Sequence, residues 1–158
     1  MAAYIHFSND VKGPCKVKEH EGWIVLESWN WSCAREQSGQ QQMGQASGVA
    51  KFEPIGFNAT IGSATIAMFQ KMLDGTHFDE VVIECTKNTG GKVPEVWLKI
   101  KLNHVLVISI GQSVDEDTAA DDITMQFTKV EMEIADQKED GKLEAKKRFI
   151  YDVLTKEG

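Results

Sequence analysis

The sequence predicts a mainly β protein, a compact curved β-barrel of two antiparallel sheets with one α-helix at about residues 64–74. Three observations lead there. Apolar and β-branched residues recur in runs of strand length, separated by turn residues. One segment alone has convincing helical spacing. Three of the strand runs switch the parity of their apolar residues partway along.

The 158 residues fit one domain, spanning 1–158, with 42% hydrophobic and 26% charged residues. A net charge of −7 argues against nucleic acid as a partner, because phosphate demands a basic footprint. It argues equally against docking on anionic lipid. No run of about 18 apolar residues occurs, so no membrane insertion is expected. Met1-Ala2-Ala3-Tyr4 lacks the basic and apolar segments of a signal peptide. Cys15, Cys33 and Cys85 are odd in number and widely spaced, which reads as reduced thiols and excludes a CxxC zinc or redox motif.

Tyr4 to Phe7 reads as an opening strand, and Ser8 to Glu21 as a loop punctuated by Gly13-Pro14. A long strand is expected from Gly22 to about Ala34. Glu36 to Gly48, rich in Gln, Gly and Ser, reads as a loop rather than core. Val49 to Phe57 resumes strand character, with Pro54 marking an edge or bulge. The helix runs from Ala64 to Leu73, with Ile66, Phe69 and Leu73 as its apolar stripe and Met68 and Met72 beside them. Ser63 or Thr65 is placed to cap its start and Gly75 its end. Further strands follow at Phe78 to Lys87, Glu95 to Ile110, Ile123 to Ile134 and Arg148 to Leu154. Asn88 to Gly91 makes a turn, Ser113 to Asp122 an acidic loop, and Asp136 to Gly141 another turn.

The parity switches are specific. Ile24 and Leu26 share one parity, but Trp29 and Trp31 share the other. Leu98, Ile100 and Leu102 give way to Val105 and Val107, and Ile123, Met125 and Phe127 to Val130, Met132 and Ile134. A flat strand keeps one apolar face throughout. A switch means an inserted bulge residue or a strand that passes from one neighbour to another. Either suits a closed, strongly curved sheet.

No motif carries catalytic chemistry. Asn88-Thr89-Gly90-Gly91-Lys92-Val93 lacks the first glycine of a phosphate loop at the right distance and the Ser or Thr after Lys. Asp115 to Asp122 fails the EF-hand pattern, since Ala119 and Ala120 replace a ligand and the turn glycine and Gln126 replaces the terminal Glu. His6, His20, His77 and His104 form no HExxH pair, and no GxSxG occurs. The expectation is a non-enzymatic protein without cofactor or metal.

One pattern is distinctive. A Val11-Lys12-Gly13 turn leads to His20-Glu21-Gly22-Trp23-Ile24 and then Ser28-Trp29-Asn30-Trp31-Ser32. A Gly-rich loop follows, then the helix ending Leu73-Asp74-Gly75-Thr76-His77-Phe78. Trp97 to Ile100, Val105 to Ser109, Phe127 to Val130 and Tyr151 to Val153 complete the order. This sequence of elements resembles the haemolysin-coregulated protein (Hcp) family of type VI secretion tube proteins. Ala59, Gly62, Thr65 and Ile66 stand where many relatives carry Lys, Asp and Ser-Pro, and Tyr151 where Trp is common, as in a divergent branch.

The resemblance implies a self-partnered homohexameric ring that stacks into a tube, with sheath and spike proteins and secreted effectors as further partners. It implies a cytoplasmic protein that is later secreted without a signal peptide. By the same resemblance Asn30 faces the ring lumen and is the candidate effector contact. Gln40, Gln41, Gln42, Met43, Gly44 and Gln45 are the candidates for ring-to-ring contact. Two alternatives stay open from sequence: a phage or contractile-tail tube protein, and a monomeric β-barrel that binds a small ligand.

Overall fold

The computed structural model describes residues 1–8, 11–35 and 50–155. Its strands are β1 (Ala2–Phe7), β2 (Ile24–Asn30), β3 (Cys33–Arg35), β4 (Ala50–Phe52), β5 (Ile55–Thr60), β6 (Phe78–Lys87), β7 (Glu95–Val114), β8 (Ala119–Gln126), β9 (Lys129–Ile134) and β10 (Lys147–Asp152). The helix α1 spans Ser63–Asp74 between β5 and β6.

The strands close on themselves. β7, β6, β1, β2, β5 and β8 are hydrogen-bonded in that order, and β8 returns to pair with β7. All these pairings are antiparallel. β9 and β10 extend the sheet beyond β7, while β3 and β4 form a separate two-stranded ribbon. The two expected antiparallel sheets are therefore very unequal in size. Closure removes most free edges and lets one core serve all six barrel strands. That core includes Ile5, Phe7, Phe78, Ile83, Ile100, Leu102, Val105, Ile123 and Met125, all buried.

β7 makes the closure. Its first half lies between β6 and β9, through registers such as Ile83 to Ile100 and Ile100 to Met132. Its second half leaves both and pairs with β8, as at Ile110 to Ile123. The handover falls at His104, whose backbone is left-handed with φ 53°. Each parity switch now has a cause. In β2 the register with β5 shifts between Leu26 and Ser28, which is a bulge. In β7 it is the change of neighbour at His104. In the third run the chain breaks at Phe127-Thr128, separating β8 from β9.

Several expected boundaries are corrected. The run from Gly22 to Ala34 is two strands, because β2 stops at Asn30 and β3 starts at Cys33. Val49 to Phe57 is likewise split at Glu53-Pro54, where proline cannot donate to a ladder. Ser113 to Asp122 is mostly strand: only 115–118 turn, between the end of β7 and the start of β8.

The helix packs through a different stripe from the one expected. Ala64, Thr65 and Met68 are buried, whereas Ile66 and Leu73 are 64% and 78% exposed. Burying Met68 contributes about 2 kcal/mol. Gly75 closes the helix in the left-handed conformation as expected, with Thr76 N–H donating to the Lys71 carbonyl at 3.0 Å. At the other end Gly62 is the N-cap, and its N–H donates to Thr65 Oγ1 at 3.2 Å. Thr65 in turn donates its hydroxyl proton to Asp121 of β8, which is 3% exposed and also accepts from Gln112 Nε2 at 2.9 Å.

Asp121 thus ties α1 to the point where β8 meets β7. Replacing Asp121 with Ala removes two charge-assisted bonds and should cost about 2–4 kcal/mol. Urea unfolding should show a lower midpoint at unchanged slope. A loss below about 0.5 kcal/mol would mean that the relay contributes nothing to holding the helix.

Candidate functional site

The closed barrel presents two outward faces of different chemistry. On one side, register sets Asn30 opposite Gly56, Gly56 opposite Thr124, and Thr124 opposite Ser109. The next row runs Ser28, Asn58, Asp122, Gly111. Their core-facing neighbours Phe57 and Ile123 are buried, so strand alternation turns these rows to the outside. The side chains are small and polar, and neither row carries a lysine or arginine. Within this face Asn58 Nδ2 donates to Asp122 Oδ1 at 2.5 Å, and Thr60 Oγ1 donates to Glu27 Oε1 at 3.0 Å.

The strands that carry this face leave two edges open. β1 follows β2 only as far as Leu26, so residues 28–30 pair with β5 alone. β6 follows β7 only as far as Val105, so residues 106–114 pair with β8 alone. Among the described residues no strand covers either far edge. An uncovered edge is a template for another strand.

The opposite face is charged in alternation. Glu84 stands opposite Lys99, Lys99 opposite Glu133, and Glu133 opposite Arg148. Arg148 Nη1 lies 3.1 Å from Glu131 Oε1, and Lys101 Nζ lies 3.6 Å from Glu80 Oε2. Such exposed pairs contribute little each, but they keep this face hydrated.

Asn30 lies at the exposed end of β2 on the small polar face, and its Oδ1 is 3.3 Å from the point where a Cβ on Gly56 would stand. Trp29 and Trp31 flank it and are partly buried against the core. Trp31 stacks on Phe52 with ring centroids 5.2 Å apart, which joins the β3–β4 ribbon to the barrel. Gln40, Gln41, Gln42, Met43, Gly44 and Gln45 lie outside the described residues. Ser28, Asn58, Thr124 and Ser109 were not singled out from sequence. Polar residues at alternate strand positions read only as a solvent face, and register alone gathers them.

The signature from Val11 to Trp23 serves packing. His20 is 5% exposed, stacks on Tyr4 at 4.2 Å between centroids and meets Trp23 edge-on at 4.8 Å. Its Nε2 lies 3.6 Å from Glu84 Oε1. Burial pushes the Tyr4 hydroxyl above its ordinary pKa, with Cys15 adding to it.

The acidic segment is a turn that uses its own carboxylate. Asp115 Oδ1 accepts from the N–H groups of Asp117 and Thr118 at 2.9 and 2.8 Å, which lowers the Asp115 pKa. Among the described residues no group of three or more His, Cys, Asp or Glu side chains is arranged to hold a metal. Among the same residues no helix is long and apolar enough to cross a membrane.

A family model described as type VI secretion system effector, Hcp, matches residues 4–134. Protein hcp1 of Pseudomonas aeruginosa is 32% identical over 134 residues, covering 84% of this chain and 82% of that protein. A solved structure of a type six secretion system protein superposes with a TM-score of 0.85 at 21% identity, over 99% of this chain and 98% of the other. Hcp1 from Salmonella typhimurium superposes with a TM-score of 0.80 at 16% identity, over 98% and 96%. The two solved structures establish likeness of fold.

Proposed function

This chain belongs to the Hcp family of type VI secretion system proteins, and from that premise we propose that it is a structural subunit of the secretion tube. Residues 1–158 act as one tube domain. Six copies close into a ring, rings stack into a tube around a bore, and contraction of a sheath expels the tube with its spike and effectors. The protein waits in the cytoplasm and leaves without a signal peptide. Its role is assembly rather than catalysis.

The observation that carries this reading is the face of small polar residues, its rows free of lysine and arginine, on strands with two open edges. Head-to-tail contact of the β7 edge of one copy with the β2 edge of the next repeats around a rotation axis and closes a ring. Small polar groups then line the bore, with the carboxylates of Asp122 and Glu27 among them. Such a lining offers an effector neither an apolar grip nor a lysine or arginine to bind, which suits a channel for varied cargo.

Light scattering on the purified chain should give a mass of about 106 kDa, six times 17.6 kDa. Electron microscopy should show rings with a central hole. A stable 17.6 kDa monomer would favour the small-ligand module instead. The cleft nearest to that description, about 520 Å³ beside His20, mixes apolar Val17, Val96 and Leu143 with charged Lys18, Glu95 and Lys146 and opens to solvent. Small-molecule sites are more enclosed.

Asn30 is the proposed effector contact on the lumen face. Replacing it with Asp adds a charge at each of the six equivalent positions while sparing the fold, since the side chain is exposed. Cargo retained in pull-downs should fall about tenfold, equal to roughly 1.4 kcal/mol. Unchanged retention would remove Asn30 from the lumen. Residues Gln40 to Gln45 are proposed as the ring-to-ring contact. Deleting them should leave single rings that no longer stack, and normal tubes after the deletion would rule the contact out.

A further inference from the structure

We propose that His77 and His104 chelate a late first-row divalent metal ion, Ni²⁺, Cu²⁺ or Zn²⁺. The two rings are stacked, with centroids 4.2 Å apart and planes inclined by 23°. Both side chains are exposed. The fold brings them together from distant parts of the chain. His77 immediately precedes Phe78, and Phe78 pairs with Val105, the neighbour of His104. The left-handed backbone at His104, φ 53°, breaks the alternation of β7. Leu102 and Val105 are therefore both buried, and His104 is left outside next to His77.

Imidazole is a preferred ligand for these ions. Metal–nitrogen bonds of about 2.0–2.1 Å place two ligating nitrogens of adjacent positions roughly 3 Å apart. In the stack the nitrogens of near-parallel rings 4.2 Å apart point side by side, so chelation requires each exposed side chain to turn about its rotatable bonds until both lone pairs meet at one point. The groove of about 310 Å³ that both rings line is walled by uncharged residues, Gln126 and Thr128 among them. No ammonium in that groove repels a cation, and there is room for the water molecules that complete its shell. With no third His, Cys, Asp or Glu arranged beside them among the described residues, the protein supplies two ligands and solvent the rest.

The site lies within one chain, so it does not depend on ring assembly. Only the folded chain joins the two histidines, and binding therefore stabilises the native state. At an ion concentration of 100 times the dissociation constant, the folding equilibrium shifts by about 100-fold. The unfolding midpoint should rise on the order of 5–10 °C.

The test uses the full chain without a histidine tag, titrated with each metal ion alone by calorimetry and thermal unfolding. Wild type should bind one ion per chain, and acidification should release it, because only neutral imidazole ligates. His77→Phe keeps an aromatic ring for the stack but removes a ligand, so it should fold normally and lose both the heat of binding and the midpoint shift. His104→Phe should also lose both, from a lower starting midpoint because the left-handed backbone at 104 disfavours a bulky side chain. His6→Ala, which changes an exposed histidine away from the pair, should bind as wild type does. Absence of binding by wild type at millimolar ion, or undiminished binding by the His77→Phe, His104→Phe double variant, would overturn the proposal and leave the pair as an aromatic stack.

Discussion

Gly13→Ala is expected to lower stability by about 3 kcal/mol, the scale of an overpacked site that cannot relax. A Cβ at Gly13 would stand 2.3 Å from the Trp23 carbonyl oxygen and 2.6 Å from Ile24 Cγ1. The first of these is backbone, which no rotamer change can move. That backbone is also held in place from both sides. Gly13 N–H donates to the Gly22 carbonyl at 2.7 Å, Gly22 N–H to the Cys15 carbonyl at 2.9 Å, and Cys15 N–H to the Trp23 carbonyl at 3.1 Å. Relieving the clash means separating residues 11–15 from 22–24 and lifting His20 off Tyr4. The melting midpoint should fall by about 10 °C. Gly91→Ala is the matched control, because its Cβ would meet only the Val93 carbonyl at 3.9 Å. Equal midpoints for the two variants would show that the turn at Gly13 is free to shift.

If the proposed ring forms through the β7 edge, Ile108→Lys combined with Val114→Lys is expected to leave monomers. These residues are 40% and 72% exposed on the half of β7 whose far edge no described strand covers. Lysine on an open edge is the commonest natural block against strand pairing, since its ammonium would have to be desolvated in the contact. Because both side chains are exposed, the fold itself should change by no more than about 0.5 kcal/mol. Light scattering should then report a mass near 17.6 kDa with an unchanged melting midpoint. Rings that survive the double change would place the subunit contact elsewhere on the molecule.

The sequence marked that three strands change face but not how. Local alternation around Trp29 and Trp31 is a property of successive residues, so the switch itself is legible. Whether it is a bulge, as between Leu26 and Ser28, or a change of neighbour, as at His104, depends on which strand lies alongside. The helix shows the same division. Ile66, Phe69 and Leu73 have good helical spacing, and so do Ala64, Met68 and Met72. Periodicity cannot rank two stripes on one helix. The bond from Thr65 to Asp121, 56 residues away, ranks them. The candidate site was the least legible part. Asn30 was named through the resemblance alone, and its companions on the face come from β5, β7 and β8.

By itself the sequence determined the β class, the single helix and its Gly75 cap, the switching strands and the resemblance carried by Val11 to Ser32. These rest on near neighbours in the chain, where the spacing of side chains dictates which way each one points. The tertiary structure alone decided that β7 is shared among β6, β9 and β8. It also decided that Ile66 and Leu73 face out, that among the described residues two strand edges stay open beside a face of small polar residues, and that His77 meets His104. Each of these is a contact between residues far apart in sequence. Closing the barrel fixes all of them at once, and no local pattern encodes which strand will lie beside which.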